Sequence, residues 1–108
     1  MIYEIAQLPV RREQIDAFKR AFAEVAPLLS RAEGYRGHVI AQGIETPEIF
    51  NLIVRWRSLA DHAPAFEESE DHRMFMAGIE EYFSEEPKVY HLEGDTFADG
   101  KDGVQGIG

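Results

Sequence analysis

The sequence predicts an α+β domain of the ferredoxin-like kind, a βαββαβ chain in which two helices cover one face of a four-stranded antiparallel sheet. Two patterns carry this expectation. Ile15, Phe18, Phe22, Val25 and Leu29 are spaced 3, 4, 3 and 4 residues apart, which puts one apolar stripe on a helix. Between Ile49 and Trp56, Phe50, Leu52, Val54 and Trp56 form a wholly apolar face at strand period, alternating with Ile49, Asn51, Ile53 and Arg55.

The first strand spans Ile2 to Leu8, rich in β-branched and aromatic residues, mixed on both faces and stopped at Pro9. The helix follows. Pro27 lies inside it and lacks the amide that would bond to Ala23, so a bend or a second short helix is expected there, with Gly34 as the stop. Residues 35 to 42 read as a strand with Tyr35, Gly37, Val39 and Ala41 on one side and Arg36, His38, Ile40 and Gln42 on the other. Gly43 to Glu48 then has the length and turn residues of a hairpin connection into the strand 49 to 56.

Ser58 and Asp61 resemble a capping box, which starts a helix that Pro64 limits or kinks. Ser69 offers a second cap, with Glu70 and Asp71 well placed against the helix dipole, and Phe75, Ile79, Tyr82 and Phe83 continue at helical spacing toward Pro87. Lys88 to Glu93 is the last strand. Ile49 and Ile53 would be out of place on a solvated sheet face, so the face without helices is expected to pack against a second copy of the chain, making a homodimer.

Composition bounds the function. The chain has 108 residues, 11 Lys and Arg against 20 Asp and Glu, a net charge of -9 and no Cys. Disulfides and Cys-based metal or redox sites are therefore excluded. The acidic balance disfavours a nucleic-acid partner, since phosphate affinity comes from Lys and Arg. With no apolar run long enough for a bilayer and no basic-then-apolar start, neither a membrane span nor a signal peptide is expected, and the cytoplasm is the expected location. Five of the nine glycines fall in residues 94–108, where Phe97, Val104 and Ile107 follow no period. That stretch reads as a flexible tail on a folded domain of residues 1–93.

Trp56-Arg57-Ser58, Asp61-His62, Phe66, Ser69 and His72 give W-x-S-x-x-D-H-x-x-x-F-x-x-S-x-x-H, and Phe83, Pro87, Val89 and His91 give F-x-x-x-P-x-V-x-H. These patterns resemble the antibiotic biosynthesis monooxygenase family, within the dimeric α+β barrel superfamily, and the likeness extends over residues 2–93. The resemblance implies a homodimer and a reaction that oxygenates a phenol or hydroquinone to a quinone with O2, without flavin, haem, metal or other cofactor. The superfamily also holds haem-degrading enzymes. Those look for a first-strand Asn, a helical Trp and a His about ten residues further on, where this chain has Gln7, Phe66 and Met76.

The chemistry available is that of His, Asn and aromatic side chains. His62, one turn into the segment after Trp56, suits a base or relay for a phenolic proton, and equally a His packed at the helix-sheet seam. Asn51 interrupts an apolar run and either pins the strand or holds a ligand oxygen. His91 would share a face with Val89 and Glu93, orienting a substrate oxygen or making a contact between strands or subunits. Trp56 and Phe66 offer flat walls for an aromatic ligand or simply core, and His72 and Tyr82 complete the expected substrate-binding set. Asp61-His62 and Asp71-His72 suggest metal ligands by residue type, but ten residues on one helix would separate them onto different faces. A dimer that binds a small hydrophobic ligand without catalysis remains the competing class, and haem binding a third.

Overall fold

The computed structural model describes residues 1–95 and 97. Its elements are β1 (Ile2–Pro9), α1 (Ile15–Ser30), β2 (Tyr35–Gln42), β3 (Ile49–Trp56), α2 (Glu70–Ile79) and β4 (Lys88–Glu93). The sheet runs β2-β3-β1-β4, and every neighbouring pair is antiparallel. That order follows from two crossovers, each helix carrying the chain over one intervening strand, and it is the ferredoxin-like arrangement expected from the sequence.

Register decides which side chains meet. Glu4, Ala6 and Leu8 of β1 lie beside Val54, Leu52 and Phe50 of β3, and Glu4 and Ala6 lie beside His91 and Val89 of β4. This set faces the helices. Its apolar members Ala6, Leu8, Phe50, Leu52, Val54 and Trp56 join Phe18, Phe22 and Leu29 of α1 and Phe75 and Ile79 of α2 in one core. The other face carries Ile5, Asn51 and Ile53, together with Val39, Tyr90 and Leu92, which are about half exposed.

Three local features depart from the expected pattern. Pro27 does not divide α1, because it stands in the last turn. Only one helical bond is lost there, and the Pro27 carbonyl still accepts from the Arg31 amide at 3.2 Å. In β2 a register shift between Tyr35 and Gly37 places Tyr35 against the core, beside Trp56, instead of on the face of Val39. The bulge is made by Gly37 at φ 130°, and Tyr35 then meets the His38 ring through its hydroxyl at 2.5 Å. Finally, α2 ends at Ile79 instead of continuing to Phe83. A short 3-10 turn, Glu80–Tyr82, follows it, and Phe83 bridges to Val10 beyond the end of β1.

Among the described residues no helix is long and apolar enough to cross a membrane. Most of the tail expected over 94–108 lies outside the described residues. Its first residues return to β1: the Gly94 amide donates to the Met1 carbonyl at 3.1 Å, and the Tyr3 hydroxyl to the Asp95 carbonyl at 2.8 Å.

Candidate active site

A cavity of about 380 Å³ lies between the sheet and α2, with Ala6, Leu8 and Leu52 on the sheet side and Phe75, Met76 and Ile79 on the helix side. Its lining is apolar except at a few points. Glu4, His62 and His72 contribute polar groups, while Glu67, Glu80 and Glu86 add carboxylates, and among the described residues no Lys or Arg lines it.

His62 reaches this cavity because the segment before it is tied down. The Ser58 hydroxyl accepts from the Asp61 amide at 3.3 Å and donates to the Asp61 carboxylate at 2.9 Å, while Arg57 grips both carboxylate oxygens at 2.8 and 2.9 Å. Gly34, at φ +85°, allows this packing, since a Cβ there would stand 2.3 Å from the Asp61 carboxyl group. Residues Asp61–Phe66 form one wide helical turn, broken at Ala63, whose extended backbone is the conformation favoured before a proline. The turn directs His62 and Phe66 inward, and both are buried.

The imidazole of His62 stacks on Trp56, with centroids 5.3 Å apart and planes at 24°. Each of its nitrogens faces one partner, the one on the His91 side through a hydrogen bond. Nε2 lies 3.3 Å from Oε1 of Glu4, and Nδ1 lies 2.8 Å from Nε2 of His91. The same Glu4 oxygen accepts from Trp56 Nε1 at 3.0 Å. Glu4 is only 7% exposed and His62 only 2%.

Burial sets the proton affinities. It pushes the Glu4 carboxyl from 4.5 up to about 7, against the opposing effect of the Trp56 donor and with a smaller push from the charge of Glu67. It drives His62 from 6.5 down to about 4, assisted by repulsion from His91 and His72. In this pair the carboxyl is therefore the stronger proton holder, and His62 is neutral at neutral pH. His72 is also shifted down by burial. It stands at the start of α2, where its amide donates to the Ser69 cap at 3.1 Å, and its ring meets Phe66 edge to face at 5.3 Å.

Of the residues singled out in the sequence, the structure brings together His62, His91, Trp56, Phe66 and His72. Trp56 does not line the cavity but lies behind His62, fully buried. Asn51 pairs with Gln7 and Ala41 on the opposite face of the sheet, and Tyr82 sits in the 3-10 turn outside the cavity lining. Asp61 and Asp71 are each held by an arginine, Arg57 and Arg31 respectively. Among the described residues no group of three or more His, Asp or Glu side chains could hold a metal ion. Glu4, His62 and His91 form a line through the two sides of one imidazole, without a common point for a cation.

Glu4 is the residue that the sequence reading missed. Its signal is a carboxylate at the strand period of Ile2, Ala6 and Leu8, which marks a charge on the face that must be covered.

The model of the antibiotic biosynthesis monooxygenase family matches residues 1–78. The Bacillus subtilis (strain 168) protein YczJ is 28% identical over 93 residues, which is 86% of this chain and 98% of YczJ. A crystal structure of a Bordetella bronchiseptica protein assigned to that family is similar with a TM-score of 0.83 at 30% identity, covering 88% of this chain and 97% of the other. SnoaB, a cofactor-independent oxygenase from Streptomyces nogalater, shares the fold at 11% identity, with a TM-score of 0.74 over 89% of this chain and 94% of its own. With the family match extending over most of its length, and a structural relative of that family covering 88% of it at 30% identity, the chain belongs to the antibiotic biosynthesis monooxygenase family.

Proposed function

We propose that the protein is a homodimeric monooxygenase that oxidises an electron-rich phenol or hydroquinone to a quinone with O2 and no resident cofactor. The observation that carries this reading is the Glu4 carboxyl, buried at the wall of an apolar cavity and held at a proton affinity of about 7. A base is most effective when its pKa lies near the working pH. Glu4 meets that condition; His62, at about 4, serves better to position Glu4 and conduct its proton. The fold likeness to a cofactor-independent oxygenase supports the same reading.

Deprotonation of the phenol gives an anion rich enough in electrons to reduce O2 directly. One oxygen atom forms a bond to a ring carbon that carries hydrogen, para to the phenolic oxygen in a phenol and ortho to it in a hydroquinone. The other leaves as water with the phenolic proton and the hydrogen of that ring carbon, so phenol plus O2 gives quinone plus water, and hydroquinone plus O2 gives hydroxyquinone plus water. Phe66, Phe75 and Ile79 supply apolar walls for the ring. A lining with carboxylates and no cation favours an uncharged or amine-bearing substrate over a carboxylated or phosphorylated one. The dimer reading rests on the apolar sheet face around Val39, Ile53, Tyr90 and Leu92, which puts Asn51 at the subunit contact and not in this cavity.

The test is oxygen uptake by the metal-free protein on a panel of hydroquinones and anthrones. Wild type should exceed buffer on at least one of them, and Glu4→Gln should lower that rate by roughly 100-fold or more. Uptake no faster than buffer across the panel would overturn the oxygenase reading in favour of ligand binding alone.

A further inference from the structure

We infer that Glu4, His62 and His91 form a linear proton relay, running from the cavity wall to edge strand β4, in which the ionisation of Glu4 is coupled to the tautomers of two imidazoles. This rests on the reading of Glu4 as the base and supplies the path by which that base exchanges its proton.

The geometry leaves few arrangements. His62 is enclosed, with Trp56 stacked on its ring, Nδ1 hydrogen-bonded to His91 at 2.8 Å and Nε2 in contact with Glu4 at 3.3 Å, a contact that tightens into a hydrogen bond when the relay runs. A neutral imidazole has one N–H donor and one acceptor nitrogen, so the direction of one hydrogen bond dictates the other. When Glu4 is a carboxylate it can only accept. Nε2–H of His62 then donates to it, and Nδ1 of His62 must accept from Nε2–H of His91. When Glu4 is an acid and donates from Oε1 to His62, every bond reverses: His62 carries its hydrogen on Nδ1, His91 accepts at Nε2 and holds its own hydrogen on Nδ1.

The two arrangements differ by one proton. Starting from the acid form, His91 releases the Nδ1 proton to water while the protons of the two hydrogen bonds each shift one place outward. The products are a Glu4 carboxylate, His62 as the Nε2–H tautomer and His91 as the Nε2–H tautomer. No charge other than that of the carboxylate is left inside. The reverse sequence returns a proton.

The relay has a use that the cavity mouth cannot provide. A ligand filling the cavity separates Glu4 from solvent on that side, whereas His91, on the edge strand, is only partly buried. Glu4 can then be ionised through its back with substrate already in place. The other groups facing the triad are Trp56 from β3, which donates to Glu4, Glu67 from the segment before α2, which raises its proton affinity, and His72 from α2, which repels a charge on His62.

The test uses the ligand-free protein and reads hydrogen positions, independently of turnover. Long-range proton-nitrogen NMR of the imidazoles should show His62 protonated on Nδ1 at about pH 6 and on Nε2 at about pH 8.5, either side of the Glu4 transition. Fluorescence of Trp56, the sole tryptophan, should change with the same midpoint. In Glu4→Gln the switch should vanish, and in His91→Phe, where the proton has no exit toward β4, the exchange between the two His62 tautomers, read from line broadening, should slow by about tenfold or more. A single His62 tautomer at both pH values in wild type, a switch that persists in Glu4→Gln, or tautomer exchange as fast in His91→Phe as in wild type would each overturn the relay. Because none of these signals requires oxygen uptake, a relay without oxygenase activity and oxygenase activity without a relay are separate results.

Discussion

Trp56 Nε1 and Glu4 Oε1 are 3.0 Å apart, joined across two neighbouring strands by a hydrogen bond that both residues bury almost completely. The indole is the donor that offsets part of the cost of an ionised carboxyl in this place. Trp56→Phe removes the donor and leaves space behind His62. Glu4 should then titrate above its present value of about 7, as followed by carbon NMR of the carboxyl group. The fold should lose about 2–4 kcal/mol in denaturant titrations followed by circular dichroism. An unchanged or lower Glu4 midpoint would show that the indole does not stabilise the carboxylate.

Glu4 and His62 should impose opposite pH slopes on stability that conceal one another. The folded carboxyl, at about 7 against 4.5, contributes stability that is complete below pH 4.5 and lost as pH rises to 7. The folded imidazole, at about 4 against 6.5, contributes stability that is complete above pH 6.5 and lost as pH falls to 4. In the overlap the folded state holds on Glu4 the proton that the unfolded chain holds on His62, so the slopes cancel. Glu4→Gln should therefore gain on wild type by about 3 kcal/mol between pH 4.5 and 7, and His62→Gln should lose a similar amount relative to wild type between pH 4 and 6.5. Urea unfolding across this range measures both differences, and flat differences would contradict the shifts.

Ligand charge should matter more than ligand shape within one series. Methylhydroquinone, 2,5-dihydroxybenzoate and 2,5-dihydroxybenzylamine, titrated anaerobically against Trp56 fluorescence, should rank amine and neutral compound together above the carboxylate. The gap should be about tenfold at low salt, narrowing as salt rises and in Glu67→Gln. Equal affinity for the carboxylate would show that the acidic lining does not select the ligand.

Sedimentation equilibrium tests the open sheet face. Wild type should be a dimer at micromolar concentration, and Val39→Lys combined with Leu92→Lys should weaken association by about 100-fold or more. A monomeric wild type would remove the dimer from the proposal.

Strand boundaries were legible wherever a face alternates cleanly. β2, β3 and β4 fall at residues 35–42, 49–56 and 88–93, as their periods predict. The end of α2 was not legible, because Tyr82 and Phe83 keep helical spacing while the backbone leaves the helix to let Phe83 meet Val10. The side change at Tyr35 depends on the bulge at Gly37, a glycine whose positive φ only the folded chain reveals. The site was half legible: residue type pointed to His62 and His91, but their contact spans 29 positions and depends on β4 lying beside β1. Glu4 was passed over because β1 read as mixed on both faces, and a carboxylate looks like a surface residue until its strand is known to be central.

The helix that roofs the cavity is fastened at both ends. At its start, Arg31 from the end of α1 clasps Asp71 with two bonds of 2.7 Å. Beyond its finish the chain is stitched to the end of β1, the Arg11 amide donating to the Tyr82 carbonyl at 2.8 Å and the Ser84 amide to the Pro9 carbonyl at 2.9 Å. A roof pinned in this way does not swing open as a lid. The space a guest molecule can fill is then the fixed volume beneath that roof, about 380 Å³. That volume, and not a hinged closure, sets how many fused rings the site can hold.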